Sequence, residues 1–338
     1  MTVILREARM TKRVARFPWK PLLWTAIAAA AVIAFLQWRA AWLKENRARY
    51  ETDNAFVLAQ RSARRRGQPP PPPDARIHES PRYRLITTAD AAQTALVADA
   101  IEALHDAYVE FFREQLPATA ARHPTKKLKV TLYRDRAQFQ AYNVSMPWAE
   151  AYYLTPMSHA YYVAGAPNPY HWMVHEATHQ LNTEVARFKK APWTDEGLGT
   201  YFGTSRFVNG ELRPGEIDPD TYPIWWLASF PISGDLDADM RSGRWIPLRV
   251  FLTGEGAPPM AGRVNQYYVQ YWSLTHFLFH HDNGRYADAY KRLIAEGGTL
   301  ENFERRIGPV EPVQRAWYRY LLTLRDRYAA AEAARRAN

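Results

Sequence analysis

The sequence predicts an α+β fold in which a small mixed sheet precedes a mainly helical C-terminal half. Three observations predict it. Short runs rich in β-branched and aromatic residues cluster between residues 83 and 163. A helical pattern interrupts them after Asp90. From His171 onward the apolar spacing is helical, broken by Pro/Gly-rich stretches around 208–223 and 254–263. With 47% apolar and 23% charged residues among 338, the composition is that of a globular protein with room for a sizeable core. There is no cysteine, which excludes disulfides, thiolate metal sites and a cysteine nucleophile.

The chain opens on a basic segment, residues 1–20, with Arg6, Arg9, Lys12, Arg13, Arg16 and Lys20 against Glu7 alone. An uncharged run follows from Pro21 to Trp38, and its length of roughly 27 Å as a helix matches a bilayer core. Trp19, Trp24, Trp38 and Trp42 flank it, as interfacial indoles do. The run ends on Gln37-Trp38-Arg39-Ala40-Ala41, a poor cleavage site, so residues 21–43 read as an uncleaved transmembrane anchor. The basic residues ahead of it place the N-terminus in the cytoplasm and the body on the extracytoplasmic, periplasmic side. Residues 44–79 read as a polar and proline-rich stalk, stiffened by Pro69–Pro73. The globular domain is then 80–338.

Charge is unevenly spread. Residues 1–80 hold 15 Lys/Arg against 6 Asp/Glu, whereas 81–338 hold 29 against 28. The body is nearly neutral, so the net charge of +10 is no argument for a nucleic-acid partner.

Within the body, Tyr83-Arg-Leu-Ile-Thr-Thr alternates as a strand. Asp90 then caps a helix whose apolar face is Ala91, Ala95, Ile101, Leu104 and Tyr108. Lys129–Tyr133 is a second strand and Arg136–Tyr142 a short helix. Tyr152–Leu154 and Ala160–Val163 form a hairpin around the loop Thr155–His159.

The chemistry lies in His175-Glu176-Ala177-Thr178-His179. On a helix, residues four apart share a face, so both imidazoles can bind one zinc ion, with Glu176 beside them. Zinc lowers the pKa of a bound water to about 7, which makes Glu176 a competent general base at neutral pH. Asn182 and Val185 stand where a third histidine motif would require Gly and His, so the third ligand must come from elsewhere. Trp193-Thr-Asp-Glu196-Gly-Leu supplies a carboxylate, Glu196, on a second helix reached through the turn 188–192. Two histidines, a glutamate and water form a known catalytic zinc set. Asp195 reads as a cap of that second helix. His276 can reach the site, while His159 and His171 are candidates for the shell around it.

These motifs, H-E-x-x-H followed by W-x-x-E-G-L, resemble the gluzincin metallopeptidases, the thermolysin and zinc-aminopeptidase clan. The match covers residues 172–202. It implies a zincin-like fold, an edge strand in the hairpin before the active-site helix that pairs with extended peptide, and Glu196 as third zinc ligand. Tyr268-Val-Gln-Tyr is similar to the helix that carries the family's oxyanion-stabilising tyrosine, which implies that role for Tyr268, with Tyr267 and Tyr271 as neighbours that compete for it. The layout is closest to a bacterial group with an N-terminal anchor and one domain. Ala177, Gly199, Gln270 and Tyr271 depart from the family pattern.

The function expected is a membrane-anchored zinc endopeptidase whose partners are a peptide or protein substrate and the membrane. The alternative is a non-catalytic zinc-containing binding or scaffold module of the cell envelope. The topology is testable on its own. A reporter fused after Asn338 is expected to be active only when it is of a kind that works outside the cytoplasm; activity of a cytoplasm-only reporter there would reverse the orientation.

Overall fold

Alternation along Tyr83-Arg-Leu-Ile-Thr sends Tyr83, Leu85 and Thr87 to one side, where all three are buried. In the computed structural model, which describes Gln37 and residues 67–118 and 126–337, this run is the second strand of a five-stranded sheet. The strands are β1 (Arg76–Glu79), β2 (Tyr83–Thr87), β3 (Leu128–Tyr133), β4 (Tyr152–Leu154) and β5 (Met157–Tyr161). Their order is β1-β2-β3-β5-β4. β2, β3 and β5 run parallel, and β1 and β4 are antiparallel to their neighbours. The fold is thus mixed α+β with a small mixed sheet, as the sequence predicts.

The parallel pair β2–β3 needs a crossover, and α1 (Ala91–Phe111) provides it. Asp90 caps it with a full capping box, its carboxylate accepting from Gln93 N at 2.8 Å. Its buried stripe is Thr94, Val97, Ala98, Ile101, Leu104 and Tyr108; Ala91 and Ala95, expected on that face, are exposed in the first turns. After α2 (Arg136–Tyr142), β4 and β5 meet at the two-residue turn Thr155-Pro156. β5 therefore starts at Met157, inside the stretch expected to be loop. Proline at the corner shortens the loop without taking a donor from either strand.

β1 also departs from expectation, since it falls within the stretch assigned to the stalk. It is short and largely exposed, with no apolar alternation to mark it. Ahead of it, Gln68 donates from Nε2 to Leu154 O at 2.5 Å and its Oε1 accepts from His159 Nε2 at 2.7 Å, while Asp74 pairs with Arg134 at 3.1 Å. The described part of the proline-rich segment is therefore laid against the sheet. The basic segment, the candidate anchor and the first part of the spacer lie outside the described residues, Gln37 apart. Among the described residues no helix is long and apolar enough to cross a membrane.

The C-terminal half is helical apart from one hairpin: α3 (His171–Gln180), α4 (Pro192–Gly203), β6 (Ser205–Val208), β7 (Glu211–Ile217), α5 (Leu236–Arg241), α6 (Leu248–Thr253), α7 (Val264–His280), α8 (Ala287–Glu296), α9 (Leu300–Arg306) and α10 (Val310–Ala337). The hairpin occupies part of the expected break at 208–223, turning at Asn209-Gly210, both in the left-handed region that such a tight turn requires. α3 is buried on nearly every side, with α4 on one flank and the sheet on the other. Ser158 Oγ donates to Glu176 O at 3.0 Å, and Gln180 Nε2 donates to Lys129 O at 3.0 Å and Pro156 O at 2.8 Å, which fixes α3 over β3 and β5.

Asp239 ties the helical half together. Its buried carboxylate accepts from Ser233 N (2.7 Å), Ser233 Oγ (2.9 Å), Arg244 Nε (2.8 Å) and Tyr318 Oη (2.5 Å). Burial opposes the charge, but the bonds from Tyr318, Ser233 and Arg244 outweigh it and hold the pKa down at about 2. Because the folded pKa lies below the unfolded one, this stabilisation is full above about pH 4 and is lost as the pH falls toward 2. Asp239→Asn is expected to cost about 2 kcal/mol at pH 7, with the gap to wild type closing over that acid range. Denaturant midpoints at pH 7, 4 and 3 check both the size and the trend.

Candidate metal centre

A ten-residue helix with the sequence HWMVHEATHQ presents His175 and His179 one turn apart. It is followed at once by a π-helical turn, Leu181–Val185, and by Arg187 in the left-handed region. This extra-wide turn swings the chain back so that α4, which starts at Pro192, packs against α3.

α4 meets α3 through glycine. A Cβ built on Gly199 would lie 2.9 Å from Cε1 and Nε2 of His175, and one on Gly203 would lie 3.3 Å from His175 Cβ. The imidazole of His175 thus rests on the bare backbone of α4, and a larger residue at 199 would displace it. The departure at Gly199 is therefore a positional requirement of the site. Trp193 anchors the start of α4 by donating to Gly298 O at 2.8 Å and stacking on Tyr290 at 5.8 Å.

Packing the two helices this closely brings three donor atoms together. His175 Nε2 and His179 Nε2 are 3.1 Å apart, and Glu196 Oε2 lies 3.5 Å from the first and 3.7 Å from the second. Atoms about 2.1 Å from a tetrahedral ion are about 3.4 Å from one another, so this triangle has the dimensions of a ligand set. Glu196 Oε2 is buried and makes no hydrogen bond. Glu176 is 7% exposed, and one atom each from His175, Glu176 and His179 lies within 4.8 Å of the others. A buried His-Glu-His cluster able to hold a metal ion is therefore present, with a second glutamate at its edge.

The electrostatics favour a cation here. Burial works against a charged His179, yet Asp195 and Glu196 outweigh it and raise its pKa well above the usual histidine range. In the metal-free protein, a proton on His179 supplies the positive charge that the carboxylates demand. Glu196 is pushed the other way: burial opposes its charge, but His179 and His175 hold its pKa far below the carboxylate range. Glu176 is raised, by burial first, with the two histidines only partly opposing.

Asp195 is not the helix cap that the sequence suggests. α4 begins after Ala191 without a side-chain cap, and Asp195 Oδ1 stands 3.2 Å from His179 Nδ1. Asn182, from the π turn, donates to the same oxygen at 2.8 Å and is itself bonded by Tyr108 Oη at 2.7 Å. This Tyr108–Asn182–Asp195 chain holds a carboxylate beside His179 Nδ1 while Nε2 faces the cluster, the position of an outer support for a metal-binding histidine. The sequence carried one signal for it, a second acid immediately before Glu196.

The cluster opens on a cavity of about 480 Å³, bounded by His175, Glu176, His179, Glu196, Tyr268 and strand β4. The Tyr268 ring is 6.1 Å from that of His175. Burial first, then the charge of Glu196, raises the Tyr268 pKa far above neutrality, so its hydroxyl stays protonated. Tyr271 also lines the cavity, whereas Tyr267 donates to Pro258 O. His276 does not reach the site. Two turns further along α7, it bonds Tyr320 Oη at 2.7 Å and Gly215 O at 3.2 Å. His159 stacks on Tyr152 at 4.6 Å and bonds Gln68, while Ser158, the preceding residue of β5, faces α3. His171 donates from Nδ1 to Asn168 O at 2.8 Å.

No protein-family model matches the chain, and a search of curated proteins finds no match either.

Removing the outer support tests the assignment of the cluster. Asp195→Ala leaves the three converging atoms in place but frees the His179 ring, so Zn²⁺ affinity is expected to fall about 10–100-fold in competition with a chromogenic chelator, with the circular dichroism unchanged. Wild-type affinity in this variant would show that Asp195 does not orient the ligand.

Proposed function

We propose that the protein is a zinc-dependent peptide hydrolase of gluzincin type, with a zincin-like fold. The observation that carries this reading is the convergence of His175 Nε2, His179 Nε2 and Glu196 Oε2 beside Glu176, at the floor of a cavity walled by an edge strand. Glu196 rather than Glu176 is the third ligand, because a single oxygen of Glu196 faces both imidazoles and has no other partner. That leaves Glu176 for proton transfer.

Zinc bound there would supply Lewis acidity toward a carbonyl oxygen and would acidify a water. The protein's own groups do the remainder. Glu176, whose pKa burial raises, takes a proton from the attacking water and can pass it to the leaving amine. The Tyr268 hydroxyl, held protonated, donates a hydrogen bond to the carbonyl oxygen as negative charge builds on it. β4 pairs with β5 on one side and with no strand on the other among the described residues. Its open edge lies along the cavity and fits an extended peptide, which pairs with it as an added strand. Trp148, Tyr152, Tyr153 and Met260 line the same cavity and favour apolar side chains. The proposal includes the anchor at 21–43 and an extracytoplasmic site of action.

Glu176→Gln separates catalysis from binding. It keeps size and hydrogen bonding but cannot accept the proton, so cleavage of a peptide library is expected to fall about 10²–10⁴-fold while one equivalent of zinc is retained. Cleavage at the wild-type rate would remove Glu176 from the reaction. Loss of the zinc, or a wild-type protein that binds zinc and cleaves nothing, would put the scaffold alternative ahead.

A further inference from the structure

A second and larger cavity, about 800 Å³, lies in the helical half and shares no lining residue with the metal centre. β7 and the end of α7 form one wall through Gly215, Ile217, His276 and His281, and α10 forms the other. Three guanidiniums line it: Arg206 from β6, and Arg319 and Arg327 from α10. Glu216 is the one carboxylate in the lining, and none of the three arginines forms an ion pair among the described residues. Most other described arginines of the body, Arg82, Arg136 and Arg306 among them, have a carboxylate.

We propose that this cavity binds a phosphate-bearing ligand. Arg319, Thr323 and Arg327 are four residues apart, so they form one stripe along α10, about 12 Å from end to end. Arg206 faces the same space from the β6–β7 hairpin. One carboxylate has two oxygens and is satisfied by one guanidinium fork. A phosphate group offers three or four oxygens and accepts forks from several directions at once. A ligand with two phosphates, or one phosphate on a longer body, spans the stripe. The tyrosines suit such a body: Tyr320 and Tyr328 give the cavity aromatic walls, with Leu324 and Ala316 between them.

The walls are built rather than incidental. Gly215 is in the left-handed region, and a Cβ there would collide with the His280 ring, so the hairpin can approach α7 only with glycine at this position. His276, 6% exposed, joins the walls by bonding Tyr320 Oη and Gly215 O. Burial, with His280 and Arg327 nearby, keeps it neutral at physiological pH. The charge that the three arginines give the cavity persists at any pH the protein meets.

The test is calorimetric titration of the full chain with inorganic pyrophosphate, inorganic phosphate and glycerol 3-phosphate. At least one is expected to bind, more weakly as salt rises. A tighter fit for glycerol 3-phosphate points to a lipid headgroup, and a tighter fit for pyrophosphate points to a soluble ligand. The double variant Arg319→Ala/Arg327→Ala is expected to bind at least tenfold more weakly, with unchanged thermal midpoint and zinc content. Arg319→Lys, which keeps the charge but not the fork, is expected to fall between. Absence of binding by all three probes at millimolar concentration would overturn the proposal. So would wild-type affinity in the double variant, or loss of binding in His179→Ala, which would place the anion at the metal centre.

Discussion

Three carboxylates and two imidazoles share one pocket in the interior, and most of the architecture around them follows from what that costs. A buried carboxylate without a partner is penalised by several kcal/mol. Glu176, Glu196 and Asp195 are each largely buried, and among the described residues the basic groups that face them are the two histidines and, at the rim, Lys190, 4.0 Å from Asp195. The pocket balances when His179 carries a positive charge or when a cation sits between the imidazoles. The same geometry is a buried ion cluster in the metal-free chain and could hold a metal ion.

Such a cluster holds only if the two helices that carry it are pinned at close range, and the sequence does this with small residues on one and polar ties on the other. Gly199 and Gly203 let the His175 ring lie on α4, while Gly197 abuts Thr275 and Tyr271 of α7 on a neighbouring face. α4 is thus pressed between α3 and α7, and each glycine forfeits helix propensity of about 1 kcal/mol that packing must offset. On the other helix, Ser158 and Gln180 tie α3 to the sheet, so a shift of α3 would break bonds to the edge hairpin as well. The His-Glu-His cluster and the open strand are consequently set relative to each other by the same few contacts.

Much of this was legible in the sequence. Helical periodicity put His175, Glu176 and His179 together, because it fixes which side chains of one helix share a face; Glu196, on another helix, was added from the need for a third donor, the turn at 188–192 and the family resemblance. The limits are equally physical. Asp195 reads as a cap because an acid in a first helical turn usually is one, and only the π turn, which sequence patterns do not reveal, brings Asn182 and His179 to it. Gly199 reads as a departure from a family pattern because the reason for it sits on another helix. β1 was hidden because an exposed four-residue edge strand carries no alternation, and the β6–β7 hairpin because its Pro and Gly look like a break. His276 illustrates the opposite error: an apolar helix with a histidine two turns beyond Tyr268 invites a shared site, but the extra turns carry it about 12 Å along the axis.

That displacement gives α7 two chemistries. Near its start it offers Tyr268 to a cavity dominated by carboxylates and imidazoles, and near its end it offers His276 to a cavity dominated by guanidiniums. On the readings proposed above, the first takes a cation and the second an anion. Over residues 81–338 the charges nearly cancel, 29 basic against 28 acidic, so composition reports a neutral body with nothing to attract either sign. The cancellation is arithmetic, not spatial. Surface ion pairs such as Arg82–Glu102 and Arg136–Glu150 neutralise each other locally and drop out of the field. Charge left without an ion pair in a recess, as at the three arginines of the second cavity, acts on a ligand more directly than the total does, so a near-zero sum says little about what either cavity can hold.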